Sequence, residues 1–480
     1  MIAYSTREVK LAEKEIIKNG ISEEELINRA SDYIVKALKE HEGKKAFLVG
    51  GGNNGSDALA CALKLGEKVK IYITDGKRNA INDALLQKAT LIHEVLPLKS
   101  FDGKCDVILD GLFGTGLSRE LDEQICSSIK IANESEAYRI AIDIPSGLDD
   151  CGKVSPIAFC ADETVVLGAL KEANVLNDAP DYSKKFTVCD IGLSLSNGAK
   201  VLDESSIKIP KRKRNTHKGD YGKVKIVGGS ARFVSAPLFS ALASLRSGAG
   251  LTSLVIPNGL KYFYSLSSHY GYTLDFLPEN DTGVVFCEKT AQEIIKNATT
   301  VVIGMGMGNN EQTFKYVEYF TNNFDGTLVI DADGLNAICS DIYVLKNKNR
   351  KAKIILTPHV GEYMRLNPDF DGSTSALKSW AKENDVVIAL KSSATIITDG
   401  ENLSINTVGT PALAKGGSGD ILAGIVGATS CVMDRLSAVE TSCVILGLAG
   451  RIASSLAKNE NSLIPLDVIN SIGEAIAKIQ

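Results

Sequence analysis

The strongest constraint on the fold is a repeating pattern. Short apolar runs, each closed by glycine, aspartate or proline, alternate with helix-compatible segments. In the first half the runs are "KAFLVGGG", "KVKIYITDG", "CDVILDG" and "YRIAIDIPSG". In the second half they are "YGKVKIVGGS", "LTSLVIP", "TTVVIGMGMG", "TLVIDADG", "KIILTPH" and "DVVIALK". Short apolar runs alternating with helix-compatible segments are the pattern of a parallel sheet whose helices cover its faces. The expected class is therefore α/β. No period of roughly 20 to 50 residues is present, which excludes a solenoid.

A length of 480 residues predicts about two or three domains. Between 205 and 220 the chain reads "SSIKIPKRKRNTHKGD", polar and basic, before a new strand and glycine turn. This places a boundary there, with domains expected at 1–207 and 208–480. The basic cluster reads as a solvated linker rather than a nucleic-acid arm, because the whole chain carries a net charge of only −5 and is 23% charged. With 44% hydrophobic residues the composition fits a small-molecule enzyme, not a nucleic-acid or membrane-surface protein. Ten cysteines form no Cys-x-x-Cys pair and five histidines never reach ligand spacing, so neither zinc nor a disulfide framework is expected. The N-terminus lacks a signal-peptide core, and the most apolar run, 421–433, is too short to span a bilayer. A cytoplasmic enzyme is expected. The first 40 residues read as two helices, the second opened by a capping box at Ser22 to Glu25 with Leu26, Ala30, Tyr33 and Ala37 on one face.

In open α/β sheets, ligands sit beyond the carboxyl ends of strands. Three such ends in the first half are polar: "GGGNNGSD", "DGLFGTGLSRE" and "DIPSGLDD". Asn53, Asn54, Asp57, Asp110, Asp143 and Ser146 supply donors and oxygens there, although Asn-Gly and Asp-Gly also serve simply as turns. No Walker A sequence or complete G-x-G-x-x-G follows a strand. In the second half, Gly304, Gly306 and Gly308 form either a tight turn or a bare backbone for a ligand. His359 follows a strand and a proline. The stretch "AKGGSGDILAGIVGATS" places glycines before an apolar helix, whose free N–H groups and dipole favour a phosphate. Asp420 at that terminus is expected to be ionised at neutral pH and to take a substrate hydroxyl proton during phosphoryl transfer. The alternative is an ordinary N-cap aspartate.

Gly416-Gly417-Ser418-Gly419-Asp420 resembles the anion-hole signature of ribokinase-like kinases. With "HKGDYGKVKIVGGS", "SAPLFSALASLRSGAGL", "DADGLN" and "TPHVGE", the second half is similar to the ADP- or ATP-dependent NAD(P)H-hydrate dehydratases. The first half, with "NNGSD", "FGTGLSRE" and "DIPSGLD", is similar to the NAD(P)H-hydrate epimerases. Together they resemble the bifunctional nicotinamide nucleotide repair family over nearly the whole chain. That resemblance implies a Rossmann-like α/β/α sandwich followed by a ribokinase-like α/β domain. It implies interconversion of R and S hydrates of NADH or NADPH in the first half. In the second, the S hydrate is phosphorylated and loses phosphate, with ADP (or ATP) and magnesium as donor system, and AMP released.

By motif, the epimerase substrate contacts fall on Asn53, Asn54, Gly55, Ser56 and Asp57, on Gly114, Thr115, Gly116, Leu117, Ser118, Arg119 and Glu120, and on Asp143, the expected acid/base residue. Asn54, Asp110 and Ser146 match potassium ligands. In the dehydratase half, Ala236, Gly306, His359 and Asp420 match hydrate contacts. Lys391, Ser392, Ser393, Ala394 and Thr395 match nucleotide contacts, as do Gly416, Gly417, Ser418 and Gly419. A homo-oligomer without nucleic-acid or membrane partners is expected. The chain departs from the family at Ser56, Ala58, Val360, Ser392 and Thr410. The rival reading is a ribokinase-like kinase of a small alcohol, carrying a non-catalytic N-terminal module that binds a nucleotide.

Overall fold

The computed structural model describes all of the chain except residues 117–119, 267–270, 282 and 348–349. Leu117, Ser118 and Arg119 therefore lie outside the described residues. The chain forms two compact units, Met1–Lys200 and Val201–Gln480.

In the N-terminal unit the strands run in the order Glu94–Pro97, Lys70–Ile73, Lys45–Val49, Val107–Gly111, Tyr138–Ile142, Glu163–Leu167 and Phe186–Cys189. Every recorded pairing in this sheet is parallel. The chain builds outward from Lys45–Val49 in one direction and then returns to continue on the other side. Order therefore reverses between Lys45–Val49 and Val107–Gly111, and the loops after these two strands splay apart there. Val49, Phe47, Leu109, Ile140 and Val165 are buried and form a core with the helices Glu23–Lys39 and Asn53–Leu65. Ser22 caps the helix Glu23–Lys39 by accepting from Glu25 N, but the reciprocal bond of a capping box is recorded at Ser5 and Glu8 instead, on the helix Thr6–Lys18. The small strand Ile2–Tyr4, not visible as an apolar run, pairs with Leu170 and Lys171 and with Ala199 and Lys200.

In the C-terminal unit the parallel order is Thr273–Leu277, Leu251–Pro257, Lys223–Val227, Thr300–Ile303, Thr327–Ile330, Lys353–Leu356 and Val386–Leu390. Two antiparallel strands, Thr395–Thr398 and Leu403–Asn406, extend it. Residues 391–394 are thus the hairpin turn of an antiparallel pair. The order reverses between Lys223–Val227 and Thr300–Ile303, whose following loops carry Gly228 and Gly304. The helices Ala236–Arg246, Ser418–Thr429 and Arg435–Ala457 cover the sheet. Arg435–Ala457, not the run at 421–433, is the helix long and apolar enough to cross a membrane, and 78% of its apolar window is buried inside this unit. The basic stretch at 208–217 is irregular and almost wholly exposed.

Candidate active sites

A cavity of 830 Å3 opens at the reversal point of the N-terminal sheet. Its wall includes Asn53, Asn54 and Asp57 from the first strand-end loop and helix, Gly114, Thr115 and Gly116 from the second, and Asp143 from the third. Gly55 and Ser56 lie beneath the helix start instead. A Cβ at Gly55 would sit 1.9 Å from Gly50 O, and Ser56 Oγ donates to Gly52 O at 3.2 Å. Glu120 is exposed and outside the cavity wall. Ala58, one of the departures from the family pattern, is buried against Gly111, so neither Ser56 nor Ala58 intrudes on the cavity.

Ser146 bonds directly to Asp110, and Asn54 is held near them through the Phe113 carbonyl, which both Asn54 Nδ2 and Ser146 Oγ approach. Ser146 Oγ and Ser146 N donate to Asp110 at 2.7 and 2.8 Å, and Leu112 N donates to it at 3.2 Å. Asn54 Nδ2 donates to the carbonyls of Phe113 and Ile142 at 2.7 and 2.8 Å. A Cβ at Gly114 would lie 2.4 Å from Asn54 Oδ1, so a glycine is needed for this approach. Burial pushes the Asp110 carboxyl up to about 6, against the pull of its neutral donors.

Asp143 stands in the left-handed region, φ 67°, a strained state for a non-glycine residue that surrounding bonds must impose. Lys171 Nζ donates to Asp143 Oδ1 at 2.5 Å and Leu167 N donates to the same oxygen at 3.0 Å. Asn174 Nδ2 donates to Asp143 O at 3.0 Å, and its Oδ1 accepts from Lys171 N at 2.9 Å. Lys171 is 1% exposed. Neither Lys171, Asn174 nor the cavity-lining Glu13 stood out in the sequence. "GALKEAN" follows an apolar run, which is the only signal it gives.

In the C-terminal unit the glycine-rich turn leads into the helix Ser418–Thr429, capped by Gly417 at φ 103°. Asp420 is therefore inside the first turn and is not the N-cap. The amides of Gly419 and Asp420 make no hydrogen bond among the described residues, leaving donors for an anion. Ser240 Oγ donates to Asp420 O at 2.7 Å, tying this helix start to the helix Ala236–Arg246. Gly306, φ 68°, packs on Phe233 in the loop leading to Ala236.

Lys391 Nζ lies 2.9 Å from Asp331 Oδ1 and 4.0 Å from Glu362 Oε2. A Cβ on Gly419 would be 3.3 Å from Lys391 Nζ and 3.8 Å from Asp331 Oδ2, so the glycine turn and this charge cluster are in contact. His359 forms a β-bridge with Lys391. Its Nδ1 accepts from Glu362 N at 3.2 Å, while Glu362 Oε2 accepts from His359 N at 2.8 Å. His359 is thus a helix cap as well as a neighbour of the cluster. Ser392 and Ser393 are exposed, whereas Ala394 is buried and Thr395 begins a strand.

Burial, followed by the charge of Asp331, pushes Asp420 up to about 7, while Lys391 pulls it down. Full ionisation at neutral pH, expected from the helix terminus alone, does not hold, because burial and then the neighbouring Asp331 carboxylate outweigh the pull of Lys391. Burial works against the charge of Lys391, but Asp331, Glu362 and Asp420 outweigh it and raise the ammonium above its usual value. Asp331 and Glu362 lay inside quoted motifs without being singled out.

Two solved structures share the fold of the C-terminal unit. A ribokinase-like superfamily protein from Enterococcus faecalis matches with a TM-score of 0.51 and 20% identity over 60% of this chain and 98% of that one. An ADP/ATP-dependent NAD(P)H-hydrate dehydratase from Bacillus subtilis, co-crystallised with ATP and Mg2+, matches with a TM-score of 0.50 and 23% identity over 59% of this chain and 99% of that one. The C-terminal unit is ribokinase-like, joined to an α/β unit with a strand-end cavity. The family model for NAD(P)H-hydrate dehydratase matches residues 224–473, and that for the YjeF-related protein N-terminus matches residues 23–173. The bifunctional NAD(P)H-hydrate repair enzyme Nnr of Coxiella burnetii is 31% identical over 91% of this chain and 91% of its own length. That of Thermofilum pendens is 29% identical over 98% and 96%. The chain belongs to the bifunctional NAD(P)H-hydrate repair enzyme family.

Proposed function

We propose that the N-terminal unit interconverts the R and S hydrates of NADH and NADPH in its cavity, and that the C-terminal unit dehydrates the S form using ADP, with ATP as the other donor. The single observation that carries the second activity is Asp420, with a midpoint of about 7, at a helix start whose amides are free. A general base works best when its midpoint lies near the working pH. Asp420 accepts the proton of the hydrate hydroxyl as the terminal phosphoryl group is transferred to that oxygen. The Gly416–Gly419 turn and the amides of Gly419 and Asp420 cradle the phosphoryl oxygens, and Lys391 adds positive charge beside them. Hydroxide leaves poorly and phosphate well, so elimination of the phosphate restores the reduced ring. Ala236, Gly306 and His359 orient the hydrate, and residues 391–395 border the nucleotide.

The oxygen donors Asp331 and Glu362 suit a magnesium ion that arrives on the nucleotide phosphates, which it would neutralise. In the N-terminal unit, Asp110 is fully buried and its recorded hydrogen bonds come only from neutral donors. Asn54 Oδ1 has no donor among the described residues. This oxygen-rich set suits potassium, which would supply the counter-charge that Asp110 lacks. Asp143 performs proton transfer on the hydrate. The ten cysteines are all free thiols, which supports a reducing cytoplasmic setting.

Product analysis tests the reading. Incubation of S hydrate with ADP and magnesium should yield AMP, inorganic phosphate and the regained absorbance of the reduced nicotinamide in equal amounts. A stable phosphorylated product would point to a kinase instead.

A further inference from the structure

Asp57 lies one turn into the helix Asn53–Leu65, is 5% exposed, and faces the cavity. It makes no hydrogen bond or ion pair among the described residues. A carboxyl buried without a partner is an unusual thing for a fold to keep, since its charged form loses hydration and gains nothing in return.

The charges around it decide its state. Lys171 donates to Asp143 Oδ1, to Leu167 O at 2.9 Å and to Ala169 O at 3.2 Å. Its three N–H groups are all occupied, so it is committed to Asp143 and to these two carbonyls. Lys10, at the cavity wall, pairs with Asp150 at 3.0 Å, and Lys64, on the same helix as Asp57, pairs with Asp32 at 2.6 Å. Burial foremost, then the charges of Asp143 and Glu13, push the Asp57 carboxyl well above the usual range. Glu13 is raised by burial too, with Lys171 and Lys10 pulling down and Asp143 pushing up. The neighbouring thiols Cys61 and Cys189 are both raised, Cys189 to about 12, and bring no charge. One cation therefore pairs with Asp143, and of the two raised cavity carboxyls Glu13 has Lys171 and Lys10 pulling it down whereas Asp57 has no cation acting on it among the described residues. Two carboxyls in one site, one ion-paired to a lysine and the other buried without a partner, are the arrangement of a base and an acid.

We propose that Asp57, buried without a partner, is the proton donor of the N-terminal unit, and that Asp143, ion-paired to Lys171, is its proton acceptor. This rests on the reading that the unit interconverts hydrates. Asp57 protonates the hydrate hydroxyl. The carbon–oxygen bond breaks with its electron pair on oxygen, which leaves as water, while the lone pair of the ring nitrogen forms a C=N+ bond. Water adds to the opposite face of that carbon, forming the new C–O bond, and its proton passes to Asp143 Oδ2, the carboxylate oxygen with no donor among the described residues. Exchange with cavity water returns the proton to Asp57 and removes it from Asp143. No oxidant or second substrate is consumed.

The full chain, supplied with R hydrate but no nucleotide, isolates this step, with the R/S ratio followed by chromatography. The wild-type rate should fall as pH rises and Asp57 loses its proton, and oxygen-18 from labelled water should enter the hydrate as fast as the epimers interconvert, above the enzyme-free rate. Asp57→Asn should lower the rate by about 10²- to 10⁴-fold and abolish the alkaline limb, with hydrate binding retained. Asp57→Glu should recover part of the rate together with the limb. An Asp57→Asn chain within about threefold of wild type, an alkaline limb unchanged by the substitution, or retention of the original oxygen by the wild type would each overturn the proposal. Failure of the wild type to interconvert the hydrates at all would instead overturn the functional reading of the unit.

Discussion

Replacing Asp420 by asparagine should make the C-terminal unit more stable and nearly inactive, with the gain in stability confined to neutral and alkaline pH. The substitution keeps the shape of the side chain and removes its charge from a cluster where Asp331 and Glu362 already share Lys391. The carboxyl has a midpoint of about 7 in the folded protein against 3.8 for an ordinary aspartate. Because the folded value is raised, the folded state holds the proton more tightly. Its contribution is fully present below the unfolded value and is lost as pH rises through the folded one. Above about pH 7 the full ionisation penalty applies, about 4 kcal/mol if no water reached the group. Asp420 is partly exposed, which reduces the expected effect to about 2 kcal/mol.

Asparagine escapes that penalty. At pH 8 the variant should melt about 4 to 8 °C above the wild type, and most of the difference should be gone near pH 4.5. Dehydration should fall by about two to four orders of magnitude, the usual loss when a general base is removed. Differential scanning calorimetry of both chains at the two pH values, with steady-state dehydration at pH 8, measures both effects. A variant no more stable than wild type at pH 8, or a gain that is the same at both pH values, would refute the reasoning.

Lys391→Met removes the cation that lowers Asp420, so the acid limb of kcat/KM for dehydration should move to higher pH; an unmoved limb would show that Asp420 does not govern it. Gly417→Ala places a side chain at φ 103°, with its Cβ 2.8 Å from Pro465 and 3.1 Å from Phe239. A loss of about 1 to 3 kcal/mol and weakened nucleotide affinity should follow, and unchanged affinity would place the phosphate cradle elsewhere. Asp110→Asn should make epimerisation insensitive to the exchange of potassium for tetramethylammonium, whereas a retained potassium response would remove Asp110 from the ligand set.

The strands quoted from the sequence were legible because an apolar run marks each, whereas Glu94–Pro97, Glu163–Leu167, Phe186–Cys189, Thr273–Leu277, Thr395–Thr398 and Leu403–Asn406 went unread; the candidate site ends were legible because glycine, asparagine or aspartate follows the quoted runs. Asp143 and the Asn54, Asp110 and Ser146 group stand after such runs, whereas Asp420 was marked by the glycines that precede an apolar helix. What a one-dimensional reading lacks is the partner across space. Lys171 is 28 residues from Asp143 and Lys391 is 60 from Asp331; only the order of parallel strands brings each pair together. The upward shift of Asp420 follows from its burial and then from Asp331 across space, so the helix terminus alone misjudged it. Likewise Gly55 and Ser56 share a motif with Asn54 and Asp57, but helical periodicity turns them under the helix while the others face the cavity. Strand Ile2–Tyr4 is too short for its pattern to register.

The claim that two sites on one chain act in series is tested most directly by the extent of reaction on mixed hydrates. With excess ADP and magnesium, the wild-type chain should restore both epimers to NADH or NADPH in a single progress curve. The Asp143→Asn chain should stop at the S fraction, its R hydrate then draining only at the spontaneous rate of epimerisation. Consumption of R hydrate by that variant as fast as by the wild type would contradict the account.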